Sequence, residues 1–137
     1  MGFVPAIQSA LKKYVAFKGR ACRSDFWWFI LFTTLCLVAS VVIAAVADPT
    51  AMVTETGAGS ASVEVNSPII AVVALLFILP QISVTVRRLH DTGRSGWAYF
   101  IALIPLIGPI LLFIWMCKKG TEGENKFGAD PLAPVVQ

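Results

Sequence analysis

Residues 87–97, RRLHDTGRSGW, place a histidine, an aspartate and a serine within six positions, the side-chain types of a hydrolytic triad. In such a triad the carboxylate sits behind the imidazole and orients it, while the hydroxyl approaches the other ring nitrogen. Adjacent His90 and Asp91 on one short turn cannot easily adopt that arrangement, and no second acidic pair or HExxH spacing offers another. No catalytic residue is assigned on this basis. The same stretch carries Arg87, Arg88 and Arg94, with Arg20 and Arg23 upstream. Clustered guanidinium groups grip phosphate or carboxylate through paired, charge-assisted hydrogen bonds. Arg20, Arg23, Arg87, Arg88, His90, Asp91 and Arg94 therefore form a candidate surface for lipid headgroups or a partner protein. Within it, the plainest use of Asp91 is to pair with Arg20 or Arg23 and hold two helix ends together, with His90 hydrogen-bonded into the same cluster.

The elements that position these residues follow from composition. The 137-residue chain is 57% hydrophobic and 14% charged, with a mean hydropathy of +0.77, which excludes an ordinary soluble domain. Residues 26–47, 68–86 and 97–117, runs of 22, 19 and 21, contain no Asp, Glu, Lys, Arg or His. At about 1.5 Å per residue each can cross a hydrocarbon layer of roughly 30 Å as a helix. The expected fold is an all-α integral membrane protein with three transmembrane helices. Its parts are an amphipathic interfacial helix over 3–19, span 1 over 25–47, an outer loop over 48–67, span 2 over 68–88, a cytoplasmic turn over 89–96, span 3 over 97–117 and a polar tail over 118–137. A strand barrel is excluded, because its strands would be shorter and would alternate apolar with polar residues.

Orientation follows the basic residues. Lys12, Lys13, Lys18, Arg20 and Arg23 precede the first run and Arg87, Arg88 and Arg94 follow the second, whereas residues 48–67 carry only Asp48, Glu55 and Glu64. The excess of Lys and Arg on cytoplasmic loops puts the N-terminus and the 87–97 turn inside and residues 48–67 outside. Ala45-Val46-Ala47 resembles a leader cleavage site, but the basic leader and the apolar run are both too long for the secretory pattern, so span 1 is read as a retained anchor.

The third run contains Ile104-Pro105-Leu106-Ile107-Gly108-Pro109, and two topologies compete there. Its length favours a straight crossing, which would leave Lys118, Lys119 and Lys126 outside. Charge favours a re-entrant hairpin, which would keep all eleven Lys and Arg inside. Three full spans, kinked at Pro105 and Pro109, is the preferred reading and the re-entrant run the alternative.

Other positions carry weaker signals. Pro80 should bend the second span, with Gln81, Ser83 and Thr85 beside it. Their ordinary role is to satisfy carbonyls and join helices, and the sharper one is a polar intramembrane pocket at Pro80 and Gln81. Cys22, Cys36 and Cys117 form neither a CxxC pair nor a ligand cluster, so no metal site or cofactor is expected. Residues 48–67, rich in Thr, Ser, Ala and Gly, allow a small hairpin but read better as a flexible spacer. GTEGENKFGADP in the tail lacks the GxxxxGK[ST] pattern and follows a helix, so a phosphate loop is rejected and the segment is expected to fold against a headgroup-side loop.

Four motifs occur in order: FKGRACRSDFWWF at 17–29, RRLHDTGRSGW at 87–97, IPLIG at 104–108 and KGTEGENKFGADP at 119–131. In these the chain resembles the family of small bacterial inner-membrane proteins known as domain of unknown function 805. The resemblance implies a helical inner-membrane protein and brings no activity, substrate or catalytic residue. The leading functional expectation is a non-enzymatic inner-membrane interaction protein, an adaptor or small subunit, multi-pass with a cytoplasmic N-terminus. Its basic surface would contact membrane lipids or a membrane-protein partner, and no nucleic acid. A subunit of a homo-oligomeric channel or transporter is the alternative, and a membrane enzyme using His90 and Asp91 the third reading.

Overall fold

The computed structural model describes residues 2–47, 52–57, 60–65 and 67–133, the two short central segments as backbone alone. Among the described residues there are four α-helices: α1 (Phe3–Lys12), α2 (Arg23–Ala47), α3 (Pro68–Asp91) and α4 (Ile107–Cys117). A 3-10 helix (Gly96–Leu103) precedes α4, and strands β1 (Met52–Gly57) and β2 (Ser60–Val65) lie between α2 and α3. Among the described residues two helices, α2 and α3, are long and apolar enough to cross a membrane.

The chain forms two compact units. One comprises Phe32–Ile78, where Phe32 and Phe77 meet edge to face at 5.7 Å and Ser40 returns its hydroxyl to the Leu37 carbonyl at 2.7 Å. In it β1 and β2 pair antiparallel, from Met52 opposite Val65 to Gly57 opposite Ser60. The spacer reading is thus corrected for these twelve positions. An isolated hairpin is marginal in water; in chain order this one lies between α2 and α3. The rest of the expected loop, 48–51, 58–59 and 66, lies outside the described residues.

The other unit comprises Met1–Leu31 and Leu79–Gln137. Its most deeply buried apolar side chains include Phe29, Val84, Leu89, Ala21 and Cys22. Helix α1 is shorter than the expected 3–19 and turns Ala6 and Ala10 inward, leaving Phe3 and Leu11 exposed. Small alanine side chains allow the closer approach. Beyond it, the Ser83 hydroxyl lies 3.0 Å from the Lys13 carbonyl and 2.8 Å from that of Ala16, fastening the connecting segment to α3. Helix α2 begins at Arg23, two residues before the expected start, so Asp25 falls in its first turn, where a negative charge suits the helix dipole.

Helix α3 runs unbroken through Pro80 and stops in a Schellman arrangement: Gly93 N–H bonds the His90 carbonyl at 3.0 Å and Arg94 N–H bonds that of Leu89 at 2.9 Å. Gly93, at φ 75°, supplies the left-handed residue this motif requires. Ser95 then caps the 3-10 helix, its Oγ accepting from Trp97 N–H at 3.4 Å.

The third apolar run is where expectation and structure part. Residues 97–117 do not form one helix. Ile104, preceding Pro105, is driven to an extended conformation (φ −77°, ψ 114°), as residues before proline are. Leu106 then takes φ 66° and ψ −59° with Ile107 N–H on the Pro105 carbonyl at 2.8 Å, a tight γ-turn. Helix α4 returns along the 3-10 helix, so closely that a Cβ on Gly108 would overlap the Ile101 carbonyl. Eight residues of 3-10 helix and eleven of α-helix each extend about 16 Å, half of what a crossing demands. The third full span is corrected to a folded-back pair of short helices.

Candidate functional site

The site forms where the second unit gathers the end of α3, the α1–α2 connection and the C-terminal segment. Asp91, the last residue of α3, is buried and pairs through Oδ1 with Arg20 (Nη2 at 2.9 Å, Nε at 3.0 Å) and through Oδ2 with Arg88 one turn earlier. Arg20 continues into the tail, donating from Nη2 to the Thr121 carbonyl at 2.5 Å and from Nη1 to those of Gly123 at 2.5 Å and Gly128 at 3.3 Å. Arg88, wholly buried, donates from Nε to the Met116 carbonyl at 3.3 Å and from Nη2 to that of Lys118. Two positive charges thus share one carboxylate. The remaining charge is offset by carbonyls at the end of α4, the negative pole of that helix, and by those of the tail.

The backbone completes the clasp. The Asp91 carbonyl accepts from Thr121 N–H at 2.8 Å and from its hydroxyl at 3.1 Å, and Asn125 Nδ2 donates to the His90 carbonyl at 3.0 Å. Gly120 packs directly on the Asp91 carboxylate, where a Cβ would overlap both oxygens. That contact, beyond any helix-stopping role, explains a glycine at this position. Farther along, Asp130 accepts from Leu132 N–H at 2.9 Å and Gly123 N–H at 3.1 Å. These bonds hold its carboxyl below the usual carboxylate range.

His90 stacks on Phe127 with ring centroids 4.0 Å apart and planes at 4°, and its Nδ1 lies 3.1 Å from the Gly19 carbonyl. A carbonyl only accepts, so Nδ1 carries the proton. Asp91 is engaged by two arginines and does not orient the imidazole, and no His90–Ser95 hydrogen bond occurs among the described residues. The triad types are close in sequence but are not assembled. Likewise, no group of three His, Cys, Asp or Glu could hold a metal among the described residues.

The expected basic surface is therefore mostly interior. Arg20, Arg87, Arg88, His90 and Asp91 are each at least nine-tenths buried, whereas Arg23 is exposed. Arg94 is partly covered, with its guanidinium 4.5 Å over the Trp115 ring. Arg87 has Asp25 as its opposite charge, yet Arg87 Nε and Nη2 and Asp25 Oδ1 lack hydrogen-bond partners among the described residues. Expected partners of Asp91 were Arg20 or Arg23; Arg20 serves, joined by Arg88. The tail carbonyls and Gly120 were not identified from sequence. A backbone acceptor leaves no compositional signal, though a glycine-rich stretch following an apolar run hints at close packing.

Two cavities open beside this network. One of about 370 Å³ is lined by Gln81, Thr85, Tyr99 and the aromatic rings of Phe26, Trp27 and Phe113. The second, about 540 Å³, lies along Phe17, Val86, Trp97 and Phe100, with His90 and Ser95 at its polar edge.

The family model described as "Protein of unknown function (DUF805)" matches residues 14–129. The chain belongs to this family. The match spans the arginine–aspartate network and its tail acceptors from Arg20 to Gly128. Inner membrane protein YhaH of Escherichia coli (strain K12) is 37% identical over 121 residues, covering 88% of this chain and 91% of that protein. Inner membrane protein YhaI of the same strain is 32% identical over 124 residues, 90% of this chain and 92% of that one. Uncharacterized protein YiiR, also from that strain, is 32% identical and covers 84% and 85%. No solved structure matches the chain.

Proposed function

We propose that this DUF805 member is a non-enzymatic bacterial inner-membrane interaction protein, an adaptor or small subunit, with two spans and both termini in the cytoplasm. Its basic rim contacts anionic lipid headgroups. One observation carries the reading: the third apolar run returns to the end of α3 from which it left, because Arg88 binds carbonyls of Met116 and Lys118 while Arg20 and Asp91 bind the tail. All eleven Lys and Arg then belong to one unit, and residues 48–67 have none. That distribution satisfies the positive-inside rule completely, as a third crossing would not. The names of YhaH and YhaI support the inner membrane.

The buried network sets the rim in place and is not itself the rim. Lys12, Lys13, Lys18, Arg23, Lys118, Lys119 and Lys126 remain exposed, and near an anionic surface each basic residue contributes about 1 kcal/mol. His90 and Asp91 support a structural use over a catalytic one, since hydrogen bonds and stacking already engage them. The test has two arms. A C-terminal fluorescent fusion that folds only in the cytoplasm should light up, and a dark fusion with an active periplasmic reporter refutes the topology. Short-chain phosphatidylglycerol should raise the Tm of the delipidated protein more than phosphatidylcholine does, with the difference lost in high salt. Equal shifts refute headgroup recognition.

A further inference from the structure

The cavity beside Gln81 has a composition that an acyl chain alone does not satisfy. Its walls are aromatic and aliphatic, from Phe26 and Trp27 on α2, Phe113 and Met116 on α4 and Tyr99 on the 3-10 helix. Gln81 and Tyr99 also line it, Tyr99 standing between this cavity and the second one, and neither side chain makes a hydrogen bond among the described residues. Thr85, also in the lining, spends its hydroxyl on the Gln81 backbone carbonyl at 2.7 Å. Both residues are half-buried; where their open side faces hydrocarbon rather than water, an amide or phenol without a partner is unfavourable, and a ligand oxygen would relieve that cost. Gln81 lies ten residues before Asp91, about 15 Å along α3, and shares the cavity with Pro109 just beyond the hairpin tip. In the proposed topology this is the cytoplasmic half of the membrane, open to lipid.

We propose that this cavity binds a membrane-soluble, flat-ringed molecule bearing a ring carbonyl, of the quinone type, entering sideways from the bilayer. About 370 Å³ is at the lower end of ligand-pocket sizes and suits a single substituted ring, while a prenyl tail would remain in lipid. Flat rings pack against the edges and faces of Phe26, Trp27 and Phe113. The Gln81 amide N–H and the Tyr99 hydroxyl donate to the ring oxygens, the matching that gives an apolar pocket its selectivity. The proposal concerns binding alone and invokes no electron transfer. It does not depend on headgroup recognition by the rim.

The test uses the full chain in nanodiscs of zwitterionic lipid, titrated with a short-chain benzoquinone carrying one isoprene unit and read by tryptophan fluorescence. Because Trp27 lines the cavity, bound quinone quenches it, and quenching should saturate. Gln81→Leu should weaken binding about 5–10-fold, the loss of one hydrogen bond. Tyr99→Phe, which removes one oxygen and keeps the packing, should weaken it several-fold and so keeps the test valid if the first variant folds poorly. Palmitate should fail to displace the probe. Quenching that never saturates, affinities unchanged in both variants, or displacement by palmitate at matching concentrations each overturns the proposal, the last by identifying an acyl-chain groove.

Discussion

Replacing Arg20 by methionine keeps its length and packing but removes the charge that joins three chain segments. In the native unit that guanidinium bonds one carboxylate and three tail carbonyls, those of Thr121, Gly123 and Gly128. Removing one partner of a buried, hydrogen-bonded ion pair costs about 3–5 kcal/mol. Asp91 keeps Arg88, and the freed carbonyls can turn to water if the tail lifts, so the lower end of that range applies. About 3 kcal/mol corresponds to a shift of roughly 10²-fold in the docking equilibrium of the tail. Hydrogen exchange at the Thr121 amide, which bonds the Asp91 carbonyl at 2.8 Å, reads that equilibrium directly. Its protection should fall by about two orders of magnitude, and trypsin should cut sooner after Lys119 and Lys126, while α2 and α3 keep theirs. Arg20→Lys should lose nearly as much, because one ammonium cannot reach all of these acceptors. Unchanged Thr121 protection in Arg20→Met would refute the view that this arginine holds the tail.

Two further outcomes follow from the same segment. Gly120→Ala places a methyl where the Asp91 carboxylate lies and should release the tail to proteolysis much as Arg20→Met does, without altering the helical circular dichroism of the spans. Asp130 has a folded-state pKa below its ordinary value of about 3.9, so its contribution to tail order is fully present above that value and is lost as pH falls through the lower, folded one. Exchange at the Gly123 amide, its hydrogen-bond donor, should therefore show protection constant from neutral pH down to about 4, and Asp130→Asn should lower it across that range, with the difference from wild type closing at lower pH where Asp130 is itself protonated.

Much of this fold was legible because it is written in side-chain polarity. The two long apolar runs became α2 and α3, with α2 starting two residues before the expected position. The pairing of Arg20 with Asp91 was also within reach, since buried charge needs a partner and few were available. What escaped was decided by the backbone. A 21-residue apolar run satisfies the length criterion for a span, and only the conformations of Ile104 and Leu106 reveal that it turns back. The basic cluster misled for a related reason: charge in a sequence suggests a surface, but Arg88 is buried because carbonyls of α4 and the tail solvate it. Those acceptors are backbone atoms, which every residue has. Only glycines such as Gly120, where the chains nearly touch, leave any trace of them.

The arginine–aspartate clasp joins positions 71 and more residues apart, with Arg20 near the start of the chain and its last acceptor at Gly128. During synthesis Arg20, Arg88 and Asp91 all emerge before the carbonyls of Met116, Lys118, Thr121, Gly123 and Gly128 exist to receive them. A chain interrupted in that interval has two arginines sharing one carboxylate and no route to bury them. Synthesis as far as Gly128 is thus a condition for closing this unit around its two buried arginines.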